Sequence, residues 1–185
     1  MANILIAYSS VYGYTRKVCE LLEAELKGGG LRVTLVPLAE AAAQLERSDV
    51  VVIGASIRYG KHNPAVTEFI RAHQALLAAR PGAFFSVNLV ARKAGKNTPA
   101  TNPYVRKFLA RIPWQPQLVG VFAGNIDYPR YDSFDRTLIR IIMWLTDGPT
   151  DPTVSKEFTD WNEVRRYAEK AAALAGVTVP RVSGP

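Results

Sequence analysis

Apolar residues follow two rhythms along this chain, and the alternation between them sets the fold class. Ile4 to Tyr8 is a short continuous apolar run of strand type, after which Val18, Leu21, Leu22 and Leu26 recur at helical spacing within Arg16 to Lys27. Gly28-Gly29-Gly30 stops that helix, and Leu31 to Val36 reads as a second strand. Val50 to Ile53 is wholly β-branched, as strands buried on both faces tend to be. Pro64 to Ala79 carries Val66, Phe69, Ile70, Leu76 and Leu77 at helical spacing behind an early proline. Ala83 to Leu89 is a fourth strand, Asn102 to Arg111 a helix entered through Pro103, and Leu118 to Ala123 a fifth strand. Trp161 to Ala175 closes the pattern as an amphipathic helix with Asp160 at its N-cap, and the tail after Val179 reads as loop.

Strands alternating with crossover helices predict an α/β fold, a doubly wound five-stranded parallel sheet in the order 2-1-3-4-5. The expectation is a single domain over residues 1–185 with a helical insertion at 125–152 interrupting the last strand. Almost 40 residues separate the fifth strand from the last helix, more than a compact domain carries without use. Within them Phe134, Leu138, Ile141, Ile142 and Leu145 share one helical face, and Asp132, Asp135, Arg136 and Arg140 lie away from it. In doubly wound sheets ligands bind outside the carboxyl ends of the strands at the switch point, here Ser9–Thr15, Ala55–Gly60 and Ser86–Lys93. Ser9 to Thr15 is rich in hydroxyls and holds one glycine before a helix start. There, free backbone N–H groups and the helix dipole favour an anion such as phosphate. An ordinary βα turn with a hydroxyl N-cap has the same appearance.

Composition narrows the setting. With 48% hydrophobic and 21% charged residues the 185-residue chain is an ordinary globular protein. Met1-Ala-Asn3 runs directly into the first strand, so no signal peptide is expected, and no apolar run approaches membrane-spanning length. The single cysteine, Cys19, excludes a disulfide within the chain. It suits a reducing compartment and reads as a small buried apolar residue rather than a redox group. The net charge of +7 is concentrated: residues 58–140 hold 13 basic against 4 acidic residues, and the flanking segments are each slightly acidic. Such an excess is either a solvated face or an attraction to a lipid surface or a carboxylate-bearing substrate. Basic runs with interleaved aromatics are missing, which argues against a nucleic-acid partner. Two histidines and one cysteine offer no metal-ligand spacing; His62 reads as a surface loop residue and His73 as a helix-surface residue.

Ser9-Ser-Val-Tyr-Gly-Tyr-Thr15 resembles the phosphate loop for flavin mononucleotide (FMN) of the flavodoxin family. The insertion near the last strand resembles that of its long-chain members. Val52 to Gly60, Phe85 to Lys93 and Tyr128 to Tyr131 add a resemblance to the bacterial quinone-dependent protoporphyrinogen oxidases, flavodoxin-like enzymes of haem synthesis. That resemblance covers about Asn3 to Ala175, and Val11-Tyr12 departs from it where a charged pair is the pattern. It implies FMN as cofactor, protoporphyrinogen IX as substrate and a membrane quinone, menaquinone or ubiquinone, as acceptor. A cytoplasmic location against the inner face of the cell membrane follows, with a homo-oligomer open. By the same resemblance Ser10, Val11, Tyr12, Gly13, Tyr14 and Thr15 would wrap the FMN phosphate. Ser56, Ile57, Arg58 and Tyr59, with Ser86, Val87, Asn88, Leu89, Val90 and Ala91, would flank its ring.

The basic middle then acquires a use. Arg58, Arg92, Lys93, Arg130 and Arg136 are candidates to grip substrate carboxylates, and Tyr128, Tyr131 and Phe134 to wall the substrate site. The chemistry is flavin-centred, so no catalytic side chain is singled out. The helix within Tyr128–Leu145 has three readings: a wall of the site, a membrane-surface helix, or a helix packed on the domain's own core. Two other functions fit the same fold, a flavodoxin-like NAD(P)H:quinone reductase and a non-catalytic electron carrier, although carriers of that type are commonly acidic.

Overall fold

The computed structural model of the protein describes residues 1–177; the predicted loop beyond Val179 lies outside them. Five parallel strands form the sheet: β1 (Asn3–Ser9), β2 (Arg32–Pro37), β3 (Val50–Arg58), β5 (Gly82–Val87) and β6 (Leu118–Phe122). Their order is β2-β1-β3-β5-β6, the predicted order once the two-residue strand β4 (Lys61–His62) is set aside. Ile4 pairs with Val33 on one side and Val50 on the other, so the first βαβ units share one register. Successive side chains along each strand point to opposite faces. Ile4, Ile6, Val50, Val52 and Phe85 accordingly pack beneath α1 (Tyr14–Gly28) and α6 (Trp161–Leu174). Leu5, Ala7, Val51, Ile53 and Phe84 pack on the other face, against Val66 and Ile70 of α2 (Pro64–Ala72), Leu77 of α3 (Gln74–Ala78) and Phe108 of α4 (Pro103–Leu109). The central strands are therefore buried on both faces, as their unbroken apolar runs predict. Cys19 lies in the first layer, fully buried, and burial pushes its thiol well up from the ordinary range.

Several boundaries differ from the predicted ones. The Pro64–Ala79 helix is two helices broken at His73, which is half-buried, not on the helix surface, and donates from Nδ1 to Phe69 O at 2.9 Å. Leu38–Arg47 forms 3-10 turns that bury Leu38, Ala41 and Leu45 against the sheet. β3 continues five residues past Ile53 through Gly54, where a Cβ would sit 2.3 Å from the Phe85 ring. Asp160 caps α6 as predicted, accepting from Asn162 N and Glu163 N.

The insertion leaves the sheet after Phe122. It opens with β7 (Asn125–Asp127), passes through α5 (Ser133–Leu145), and closes with β8 (Ser155–Glu157), antiparallel to β7. Its buried side chains, Ile126, Tyr128, Tyr131 and Met143, form a small cluster of their own, separate from both core layers.

Candidate functional site

One cavity of about 540 Å3 opens where β1, β3 and β5 end; four segments build most of its wall, and Tyr104, Gly124, Asn125, Asp127 and Tyr131 complete it. The turn after β1 contributes Ser10, Val11, Tyr12, Tyr14 and Thr15. Gly13 is the N-cap of α1 with φ 85°, and no side chain caps that helix, so the hydroxyl cap of an ordinary βα turn is not formed here. Thr15 is 1% exposed and its Oγ1 has no hydrogen-bond partner among the described residues. An orphaned buried hydroxyl beside the open end of a helix is a donor site for a bound anion.

The end of β3 contributes Ser56, Ile57, Arg58, Tyr59 and Gly60. Arg58 pairs with Lys61 across a two-residue hairpin, so Tyr59 (φ 50°) and Gly60 (φ 76°) both sit in the left-handed region, as such turns require. Glycine carries that geometry freely; at Tyr59 it is strained, and the ring is aimed at the insertion, edge-on to Phe134.

The turn after β5 contributes Val87, Asn88, Leu89 and Val90, with Arg92, Lys93 and Lys96 beyond it. Ser86 and Ala91 lie behind this wall. A chain of buried polar groups holds it: His62 Nε2 lies 2.9 Å from Ser86 Oγ, Asn88 Nδ2 donates to the same oxygen, and Asn102 Nδ2 donates to Asn88 Oδ1 at 3.0 Å. His62 is thus not the surface residue that its loop position predicts. It is buried between Phe84 and Phe108, and burial pushes its pKa down to about 4.

The fourth segment is α5, and it divides the predicted apolar face, turning Leu138 and Ile142 to the cavity and leaving Phe134, Ile141 and Leu145 to solvent. Asp135, Leu138, Ile139, Ile142, Met143 and Thr146 line the cavity, while Phe134, Ile141, Trp144 and Leu145 are exposed. Asp135 is 2% exposed and collects three donors: the hydroxyls of Tyr12 and Tyr59, and Arg58 Nη2 at 2.5 Å. Burial pushes its carboxyl up, but the two hydroxyls and the Arg58 charge outweigh that and hold it below the ordinary carboxylate range. Burial and the neighbouring Asp135 raise the Tyr12 hydroxyl to about 12, so it remains a proton donor at neutral pH. Nothing in the apolar spacing distinguishes Asp135 from a solvated acid; its partners come from loops 77 and 123 residues away in sequence.

The predicted carboxylate-gripping residues divide. Arg58 is held by Asp135. Arg92 lines the cavity but donates to Leu89 O and to the carbonyl and hydroxyl of Thr146. Arg136 donates to Tyr128 O and Tyr131 O and is absent from the lining, and Arg130 points elsewhere, 3.9 Å from Asp127. Tyr128 is fully buried, with its hydroxyl donating to Pro149 O, whereas Tyr131 lines the cavity and packs on Tyr12 at 5.1 Å. Lys96, not foreseen from the sequence, lines it beside Lys93.

Residues 5–153 match the family model of the flavodoxin domain. The chain belongs to the flavodoxin family. It is 45% identical over 179 residues to a protoporphyrinogen IX dehydrogenase [quinone] of Leishmania major, covering 96% of this chain and 78% of that protein. It is 43% identical over 171 residues to a protein of the same name from Escherichia coli K12, covering 92% and 94%. Oxidised flavodoxin 1 from Bacillus cereus superposes with a TM-score of 0.53 at 13% identity, covering 95% of this chain and 98% of that one, a likeness of fold. The flavodoxin fold implies a flavin cofactor, and the residues fit one. The uncapped α1 end with the orphaned Thr15 hydroxyl suits a phosphate, and the Ser56–Tyr59 and Val87–Val90 segments form two walls for a flat ring. No group of three or more His, Cys, Asp or Glu side chains that could hold a metal occurs among the described residues.

Proposed function

We propose that this protein is an FMN-dependent dehydrogenase that oxidises protoporphyrinogen IX to protoporphyrin IX and delivers the electrons to a membrane quinone, menaquinone or ubiquinone. The observation that carries the reading is the composite cavity: a phosphate-type helix end with an unpartnered Thr15 hydroxyl at one side, and at another an apolar insertion wall of Leu138, Ile139, Ile142 and Met143. A one-electron carrier needs the first feature only. The kinship with dehydrogenases of this activity, over more than nine-tenths of the chain, supports the same substrate.

When bound, FMN would supply the two-electron acceptor for hydride leaving a bridging carbon of the macrocycle as a pyrrole nitrogen loses a proton, and would pass those electrons to quinone; three such rounds take porphyrinogen to porphyrin. Ser10, Thr15 and the N–H groups at the start of α1 hold its phosphate. The Asn88 turn, tied down through Ser86 to His62, and the Arg58–Tyr59 hairpin hold the ring between them. The α5 wall excludes water from the space over that ring and gives porphyrinogen and quinone, both largely apolar, a shared place to bind in turn.

The same helix supports a membrane location. Phe134, Ile141, Trp144 and Leu145 form an apolar face left to solvent, with Trp144 73% exposed and the exposed Arg140 one turn before it on the same helix. An apolar face with Trp and a basic neighbour is the composition of a helix lying in a lipid interface. No helix among the described residues is long and apolar enough to cross a membrane. Contact of this face with the cytoplasmic leaflet would bring the cavity mouth to where quinone resides.

The test is anaerobic. Protein loaded with FMN is mixed with protoporphyrinogen IX, and the flavin absorbance bleaches; a menaquinone analogue then restores it. Bleaching by NADPH and none by porphyrinogen would overturn the reading in favour of a quinone reductase.

A further inference from the structure

Four cations line the cavity: Arg58, Arg92, Lys93 and Lys96. The two arginines are committed, Arg58 to the Asp135 carboxylate and Arg92 to two backbone carbonyls. Neither lysine has an ion-pair or hydrogen-bond partner for its ammonium among the described residues. They are also placed together by design of the backbone. Lys96 N donates to Lys93 O at 3.1 Å, closing a four-residue turn with Gly95 at φ 78°, the left-handed position such a turn reserves for glycine. The turn is pinned from below, because the fully buried Asn102 donates to Lys96 O at 2.8 Å and to Asn88 Oδ1, and its own oxygen caps α4. One buried amide therefore fixes both the ring-flanking Asn88 segment and the two-lysine turn.

We propose that the Lys93–Lys96 turn is the carboxylate receptor of the site and sets the orientation of the tetrapyrrole over the flavin; this rests on the porphyrinogen reading. The substrate is amphiphilic in one plane, with two propionates on neighbouring pyrroles and vinyl and methyl groups around the rest of the ring. The lining carries both chemistries on different segments, the two lysines on the turn after β5 and Leu138, Ile139, Ile142 and Met143 on α5. Two ammonium groups at the ends of one turn match two adjacent carboxylates, and as mobile point charges they accept the acid without demanding a fixed fork. The macrocycle then has one favoured placement, its propionates at the turn and its apolar edge on α5.

The test compares protoporphyrinogen IX with its dimethyl ester, which keeps the ring and removes both charges, on wild-type protein and on Lys93→Gln, Lys96→Gln and the double variant. In the double variant KM for the diacid rises roughly tenfold or more, while KM for the ester, the FMN affinity and the KM for quinone stay at wild-type values. Binding of protoporphyrin IX, followed by its own absorbance, weakens by a like factor. Equal effects on diacid and ester, or no effect on either, overturn the proposal while leaving the enzyme a porphyrinogen dehydrogenase. Failure of both diacid and ester to reduce the wild-type flavin overturns the functional reading and this proposal with it.

Discussion

Thr15 is buried at the first turn of α1 with a hydroxyl that no described residue satisfies. Leaving a buried polar group unpaired costs roughly 1–3 kcal/mol, whereas replacing it with an isosteric apolar group removes that cost. Thr15→Val should therefore leave the melting temperature of the flavin-free protein unchanged or raised. It should weaken FMN roughly tenfold, the worth of one hydrogen bond to a charged group, as read by fluorescence titration. A drop in both would make Thr15 a packing residue. His62 supports a second expectation. Its pKa is near 4 in the folded protein against an ordinary 6.5, so between those values the unfolded chain binds more protons and stability falls as pH falls. The full difference is about 3 kcal/mol, lost progressively from pH 6.5 towards 4. Denaturant unfolding between pH 6.5 and 5, above most carboxylate titrations, should show a slope that His62→Gln flattens.

At the scale of an element, one carboxylate ties the N-terminal turn of the insertion helix to two other segments. Asp135 joins α5 to the phosphate loop through Tyr12 and to the β3 hairpin through Arg58 and Tyr59. Asp135→Asn keeps the shape but loses the charge that pairs Arg58, and should cost about 1–3 kcal/mol. Amide exchange should quicken in residues 133–145 well before it does in β1 or β3. Uniform loss of protection would show instead that the insertion is part of the main core. The same contrast explains what the sequence made legible. The sheet order, the core faces of α1 and α6 and the three ligand-facing turns follow from periodicity, because there burial and hydrophobicity coincide. Along α5 they part: Phe134, Ile141 and Leu145 face solvent while Asp135 faces inward, since three distant donors neutralise it. A pattern of apolar positions carries no information about partners brought by the fold. That limit also hid the buried state of His62, whose neighbours are Phe84 and Phe108, and the commitment of Arg92 and Arg136 to backbone carbonyls. Lys96 has no signal in the pattern, because it meets Lys93 at the cavity through a turn and not through a repeat.

For the molecule as a whole, the basic excess and the exposed apolar helix fall in one stretch of the sequence. The basic excess lies in residues 58–140, and α5, with its solvent-facing apolar side, begins within that stretch and ends just beyond it. Each basic group near an anionic leaflet contributes about 1 kcal/mol, and this attraction decays within a Debye length of about 10 Å at 0.1 M salt. Insertion of Phe134, Ile141, Trp144 and Leu145 adds an apolar contribution that salt does not screen. The two contributions can be separated. Binding to vesicles containing phosphatidylglycerol should weaken as salt rises, and binding to neutral phosphatidylcholine vesicles should be weaker but insensitive to salt. Tryptophan fluorescence can report the depth, because of the three tryptophans Trp114 is 4% exposed and Trp161 is half-buried, leaving Trp144 to respond. Its emission should shift to the blue on vesicle binding, and the shift should vanish in Trp144→Phe. Replacing Ile141 and Leu145 with Ser should abolish binding to neutral vesicles and weaken binding to anionic ones to its salt-sensitive part, while FMN affinity holds, because neither residue lines the cavity. Salt-sensitive binding with no blue shift would mean that the basic surface alone touches the lipid, and that the apolar face of α5 serves another contact.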